Sequence, residues 1–299
     1  ALLGCEDLDV PNVVYNLTQN VASAGTCFYV LADNVTLDCH GFEINYSQSV
    51  VGYGVNITTK NFNTVRSCNI QQAVPSAGSS ADAIYFENSV KNVVTNSTMT
   101  TYGDTAEGLK LATNAKNNSF YNNTISTKGV NAHAIHLVNG ANSFNFIYNN
   151  TINTVNSIGV WLGSGNNNSV YYNNITVTGS STPQYGVLID ISNTSLYKNT
   201  ITISTGGNSV GIIIRLNSIW NSRVYDNIIV ATGSTARGIE IQDTPYNNLI
   251  YNNNITTTNS NSRGIYLTNS VRNNTIYDNN ITTKNNAGSY GIYLENNVN

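Results

Sequence analysis

The chain has 299 residues, of which only 10% are charged, with a net charge of −3. Thirteen basic residues that form no run exclude a nucleic-acid or anionic-membrane surface, and no apolar stretch reaches the roughly 18 residues needed to span a bilayer. Polarity comes instead from 53 asparagines and 61 serines and threonines.

The first quarter holds all four cysteines, Cys5, Cys27, Cys39 and Cys68. An even number at one end points to two disulfides and an oxidising compartment. Three pairings are possible. Asp38-Cys39-His40-Gly41 and Ser67-Cys68-Asn69-Ile70 sit about one repeat apart, which favours Cys39 with Cys68 and leaves Cys5 with Cys27. Reduced, buried cysteines are the alternative, and Leu2-Leu3-Gly4-Cys5 also has lipobox character. The start at Ala1 suggests removal of a signal peptide and an extracellular or cell-surface location. Residues 1–50 read as a stapled cap with the first rung, and residues 51–299 as one repeat array.

From Gly54 onward a small residue opens a short apolar run ten times, as in Gly54-Val-Asn-Ile, Gly108-Leu-Lys-Leu and Gly291-Ile-Tyr-Leu. After a first gap of 29 residues the spacing is 25–27. A second column runs in step: Tyr121, Tyr148, Tyr171, Tyr197, Tyr225, Tyr251 and Tyr277, each with asparagine two residues later and isoleucine four later. Each unit therefore holds three short alternating runs separated by polar corners. Such a unit buries its apolar face only against its neighbours. The expected fold is all-β: a right-handed, single-stranded parallel β-helix of about 11 rungs of about 26 residues, on the order of 50 Å long at the spacing of adjacent strands. A corner between strands favours asparagine in the left-handed region, and stacked amides form ladders.

The pattern resembles the parallel β-helix repeat family of secreted and cell-surface proteins. It is most similar to the NosD-like, asparagine-rich members, through Thr26-Cys-Phe-Tyr-Val-Leu-Ala-Asp-Asn-Val-Thr-Leu-Asp-Cys-His-Gly-Phe-Glu-Ile44 and the repeats that follow. The resemblance implies the fold. Pectin-active enzymes, epimerases, adhesins and surface filaments share that scaffold, so function has to come from sites.

In Gly-Ile-x-Leu the residue x points outward. That column reads Asn56, Tyr85, Lys110, His136, Trp161, Leu188, Ile213, Glu240, Tyr266 and Tyr293, with one acid. Asp226 and Asp278 lie two rungs apart, roughly 9.6 Å, too far to share a metal ion. His133 and His136 lack an apparent third ligand and read as surface histidines. No catalytic set, metal site or cofactor motif is expected.

Trp161, Leu188 and Ile213 form an expected outward apolar patch, and the seven tyrosines an outward stripe able to meet sugar rings or a neighbouring rod. Fourteen Asn-x-Ser/Thr sequons occur, with Asn16, Asn34, Asn56, Asn122, Asn174, Asn254 and Asn280 as candidate glycosylation positions. The last repeat stops before its Tyr-x-Asn half, so the expectation is either head-to-tail or lateral self-association, or that these 299 residues are part of a longer chain. The reading that follows is a non-enzymatic structural or adhesive surface protein, with a carbohydrate-active enzyme or binding module as the alternative.

Overall fold

The computed structural model describes residues 1–74, 80–180, 184–216, 219–284 and 287–296. They form a right-handed parallel β-helix with three sheets of 12, 11 and 11 strands. Each strand pairs with the equivalent strand one coil away, in sequence order and always parallel. The first sheet carries the Gly-Ile-x-Leu runs, the second the tyrosines, and the third the Ile-Thr runs. Val14–Asn16 and Val21–Ala22 already belong to the second and third sheets, so coiling begins well before residue 50. Among the described residues no helix is long and apolar enough to cross a membrane.

The alternating pattern sets which side chains enter the coil. Ile125, Ile152, Ile175, Ile201 and Ile229 are in register on successive strands and fully buried. The small residue that opens each first-sheet run is forced by crowding at a corner. A Cβ on Gly54 would meet Ile70 Cγ2 of the third sheet and the carbonyl oxygen of Ala83, one coil on.

The asparagine column forms a continuous internal ladder. Asn123 Nδ2 donates to Asn150 Oδ1 at 3.1 Å and to the Val94 carbonyl at 2.9 Å. The same bonds recur through Asn173, Asn199, Asn227, Asn253 and Asn279. A second ladder joins Asn92, Asn118, Asn145 and Asn168, and resumes at Asn248 and Asn274. Each buried amide is thereby paired along the rod, the condition for burying it at all. The left-handed corner falls one residue earlier than the ladder. It lies at Asn122, Asn149, Tyr172, Lys198, Asp226, Asn252 and Asp278, with φ between 52° and 56°. Asparagine is thus used twice, once for its backbone tolerance and once for its amide.

Both disulfides are present, Cys5–Cys27 and Cys39–Cys68, each with Cα atoms 4.7 Å apart. Cys39–Cys68 ties consecutive coils across the corner that follows the second sheet.

Candidate functional site

The outer face of the first sheet is broader than one residue per rung. The x residues pair in register, Lys110 with His136 and His136 with Trp161. The residue just before each small residue also projects outward and reaches the x residue three positions on. Glu107 meets Lys110, His133 meets His136, and Arg237 meets Glu240. A third outward column, just after each run, adds Asp190 and Arg215.

The centre of this face is a buried polar cluster on three successive rungs. Lys110 Nζ lies 3.7 Å from Asp82 Oδ2 and 3.6 Å from Glu107 Oε2. The Glu107 backbone N–H donates to Asp82 Oδ1 at 2.8 Å. Glu107 Oε1 and His136 Nδ1 are 2.5 Å apart, and His133 Nδ1 is 2.8 Å from Ser157 Oγ. Asp82, Glu107, His133 and His136 are all buried.

Burial controls the charges. Loss of solvent, and then the Glu107 charge, push the Asp82 carboxyl up to about 7, with Lys110 opposing. Burial likewise pushes Glu107 up to about 7 against the pull of Lys110. Burial works against the Lys110 ammonium, but Asp82 and Glu107 outweigh it and raise its pKa. Both imidazoles fall to about 3, His133 through burial, His136 and Lys110, and His136 through burial and Lys110. The rings are therefore neutral, and the short Glu107–His136 contact holds one proton. Carboxyls that exchange protons near neutrality, beside imidazole and ammonium, have the make-up of acid–base chemistry.

Next along the face stands Trp161, half-buried and stacked on His136 with ring centroids 4.2 Å apart. Its indole Nε1 donates to Asp190 Oδ2 at 2.9 Å, and Arg215 Nε donates to Asp190 Oδ1 at 3.0 Å. Tyr53 and Tyr85 stack at 4.7 Å on the opposite side of the cluster. Farther toward the C-terminal end, Arg237 donates to both Glu240 oxygens at 2.8 Å, and Arg237 and Arg263 lie over the Tyr266 ring. A separate hollow on the second sheet, lined by Asn193, Ser195, Arg223 and Leu249 among others, holds one ionisable side chain and gathers no comparable chemistry.

Several sequence-based expectations change here. His133 and His136 are buried, not surface residues, and Glu107 stands beside them as the missing third donor. The first sheet does gather acids, bases and aromatic rings, because the flanking columns add Asp82, Glu107 and Asp190 to the single acid Glu240. Leu188 and Ile213 are not exposed. They pack with Ile158, Tyr185 and Val210 in a second buried apolar cluster outside the coil, with Trp161 at its edge. Alternation reaches the column two residues after x, which holds Asp190 and Arg215, but not the column three residues before x, which lies across the corner.

The tyrosine stripe forms as expected. From Tyr121 to Tyr277 successive rings stack with centroids 4.9–5.0 Å apart. Of the sequon asparagines, Asn34, Asn122, Asn174, Asn254 and Asn280 are exposed, whereas Asn16 and Asn56 are half-buried. Residues 297–299 of the terminal half-repeat lie outside the described residues.

No protein-family model matches the chain, and no curated protein matches its sequence. Solved structures match over 96% of its length. One is the catalytic domain of a GH87 alpha-1,3-glucanase in complex with nigerose, at TM-score 0.53 and 14% identity. Another is the tailspike protein of E. coli bacteriophage HK620 in complex with a pentasaccharide, at TM-score 0.54 and 13% identity. The chain spans 63% of the glucanase domain and 57% of the tailspike. At this identity the likeness shows a shared fold, the parallel β-helix solenoid.

Proposed function

We propose that this chain is a carbohydrate-active protein that takes a polysaccharide along the outer face of its first sheet. The observation that carries this reading is the His136–Trp161 stack, set between the Asp82–Lys110–Glu107 cluster and the Asp190–Arg215 pair. The half-exposed indole of Trp161 offers apolar surface to a sugar ring, and charged groups on either flank take its hydroxyls. From the Asp82 rung to the Arg215 rung the face covers five strand intervals, about 24 Å, enough for several sugar units. The Asp82 carboxyl, beside Lys110, is its proton-handling group.

The oligosaccharide complexes of the glucanase domain and the tailspike support this reading on the same scaffold. The two disulfides support an extracellular or cell-surface location. NosD-like affiliation belongs to the same proposal and rests on the Thr26–Ile44 stretch. The structural or adhesive reading is weaker, because the tyrosine stripe gathers, among the described residues, no buried acid–base set such as Asp82, Lys110, Glu107 and His136 on the first sheet.

The test is a panel of soluble glucans, uronic-acid polymers and bacterial surface polysaccharides, scored both for retention and for new reducing or unsaturated ends. At least one polymer should be retained, and Asp82→Asn should reduce any turnover without abolishing retention. A protein that retains none of them overturns the proposal.

A further inference from the structure

We infer that Glu107, His133 and His136 form a binding site for a divalent transition metal of the zinc class. One donor atom from each lies within 4.8 Å of the other two, so a small ion can reach all three with slight side-chain adjustment. The donors come from two adjacent rungs of a hydrogen-bonded sheet, whose spacing holds them together before any ion arrives.

Three further features separate this set from a chance cluster. Ser157, itself buried, sits 2.8 Å from His133 Nδ1. Acting as acceptor for that N–H, it fixes the tautomer that leaves His133 Nε2 free as a donor to metal, the usual outer support of a ligating histidine. His136 Nε2 is buried and makes no hydrogen bond, an expensive arrangement that a cation would relieve. The Trp161 ring lies 4.2 Å from the His136 ring and nearly parallel to it, 9° apart, which restrains its orientation.

The donor chemistry selects the ion. Two imidazole nitrogens with one carboxylate oxygen suit zinc and its neighbours, whereas calcium and magnesium take oxygen donors. Lys110 does not forbid a cation, because its ammonium is shared between Asp82 and the far oxygen of Glu107. With both carboxyls ionised, Asp82, Glu107 and Lys110 carry a net charge of −1. Three protein donors leave a coordination position for water or a sugar hydroxyl. This inference stands apart from the glycan proposal, and either can fail without the other.

The test uses the full chain, purified without a histidine tag, stripped with chelator and titrated with cobalt(II) and then zinc. One cobalt per chain should bind, with visible absorbance of a four- or five-coordinate N/O site that zinc displaces. His133→Gln, His136→Gln and Glu107→Gln should each weaken binding by more than about 10-fold, the lower end of what an outer-support change alone costs. Ser157→Ala should weaken it by about 10- to 100-fold. His40→Gln, which alters the remaining histidine, should change nothing. Folded wild-type protein that takes up no cobalt overturns the inference, and so does uptake that survives in the folded His133→Gln/His136→Gln variant. If the substituted chains do not fold, the wild-type stoichiometry and the absorbance of its cobalt form decide the matter alone.

Discussion

The imidazole of His136 lies flat against the indole of Trp161, with centroids 4.2 Å apart and planes 9° from parallel. The two residues are register partners on adjacent strands, so the sheet spacing itself sets the stack. Each ring is pinned at its far side as well, His136 by Glu107 and Trp161 by Asp190. Both side chains are thereby held in place, and little side-chain entropy would remain to be lost if this face binds the proposed ligand.

The asparagine ladder should matter more than the tyrosine stripe. Asn173 Nδ2 donates to Asn199 Oδ1 and the Ile147 carbonyl, while its own oxygen accepts from the Asn150 side chain and backbone N–H. Asn173→Ala strands several buried groups and should cost about 3–5 kcal/mol in urea unfolding. Tyr197→Ala removes a partly exposed ring stacked on Tyr171 and Tyr225, and should cost only about 1 kcal/mol.

Core packing gives a comparable figure. Ile201 is fully buried and stacked between Ile175 and Ile229. Ile201→Ala should cost about 2–5 kcal/mol by thermal or urea unfolding, with the spread set by how far neighbouring coils close the cavity.

The fold was legible because its signal repeats. Ile125, Ile152 and Ile175 recur at a fixed interval, and no other architecture buries such a column with strands this short. The site was less legible, because it breaks the repeat. Asp82, Glu107, His133 and Tyr185 occupy one column without a repeating residue type, and each immediately precedes a corner residue. Strand alternation counted within Gly-Ile-x-Leu stops short of them. Burial of His136 was hidden for a related reason, since it depends on flanking columns and not on its own strand. Leu188 and Ile213 were correctly placed on the outer side, but the residues that cover them, Tyr185 and Val210, also lie before the small residue.

The disulfides should stabilise the N-terminal coils. Cys39–Cys68 closes a separation of 29 residues between buried sulfurs. The Cys39→Ser/Cys68→Ser variant should lose about 2–5 kcal/mol. Protease nicking should then begin in the first coils and not near the tyrosine stripe, as mass mapping of early fragments would show.

Tyr46 should set part of the alkaline limit. Its ring is fully buried and its hydroxyl donates to the Ala81 carbonyl at 2.8 Å. Burial first, and Asp82 second, raise its pKa well above the ordinary value. A raised folded-state pKa favours the protonated form, so this contribution is complete below the unfolded value near 10 and is lost as pH rises beyond it. Tyr46→Phe should be about 1 kcal/mol less stable at pH 7. Its melting temperature should fall less steeply than that of wild type above pH 10.

The most direct measurement compares one retained polysaccharide against three proteins: wild type, Trp161→Ala, and Tyr197→Ala/Tyr225→Ala. All three are first confirmed folded by circular dichroism, and affinity is read by calorimetry. Loss of the Trp161 ring should weaken binding at least about 10-fold, equivalent to about 1.4 kcal/mol, while the double tyrosine variant binds like wild type. Unchanged affinity in Trp161→Ala, with affinity lost in the tyrosine variant, would move the binding face to the second sheet and contradict the account.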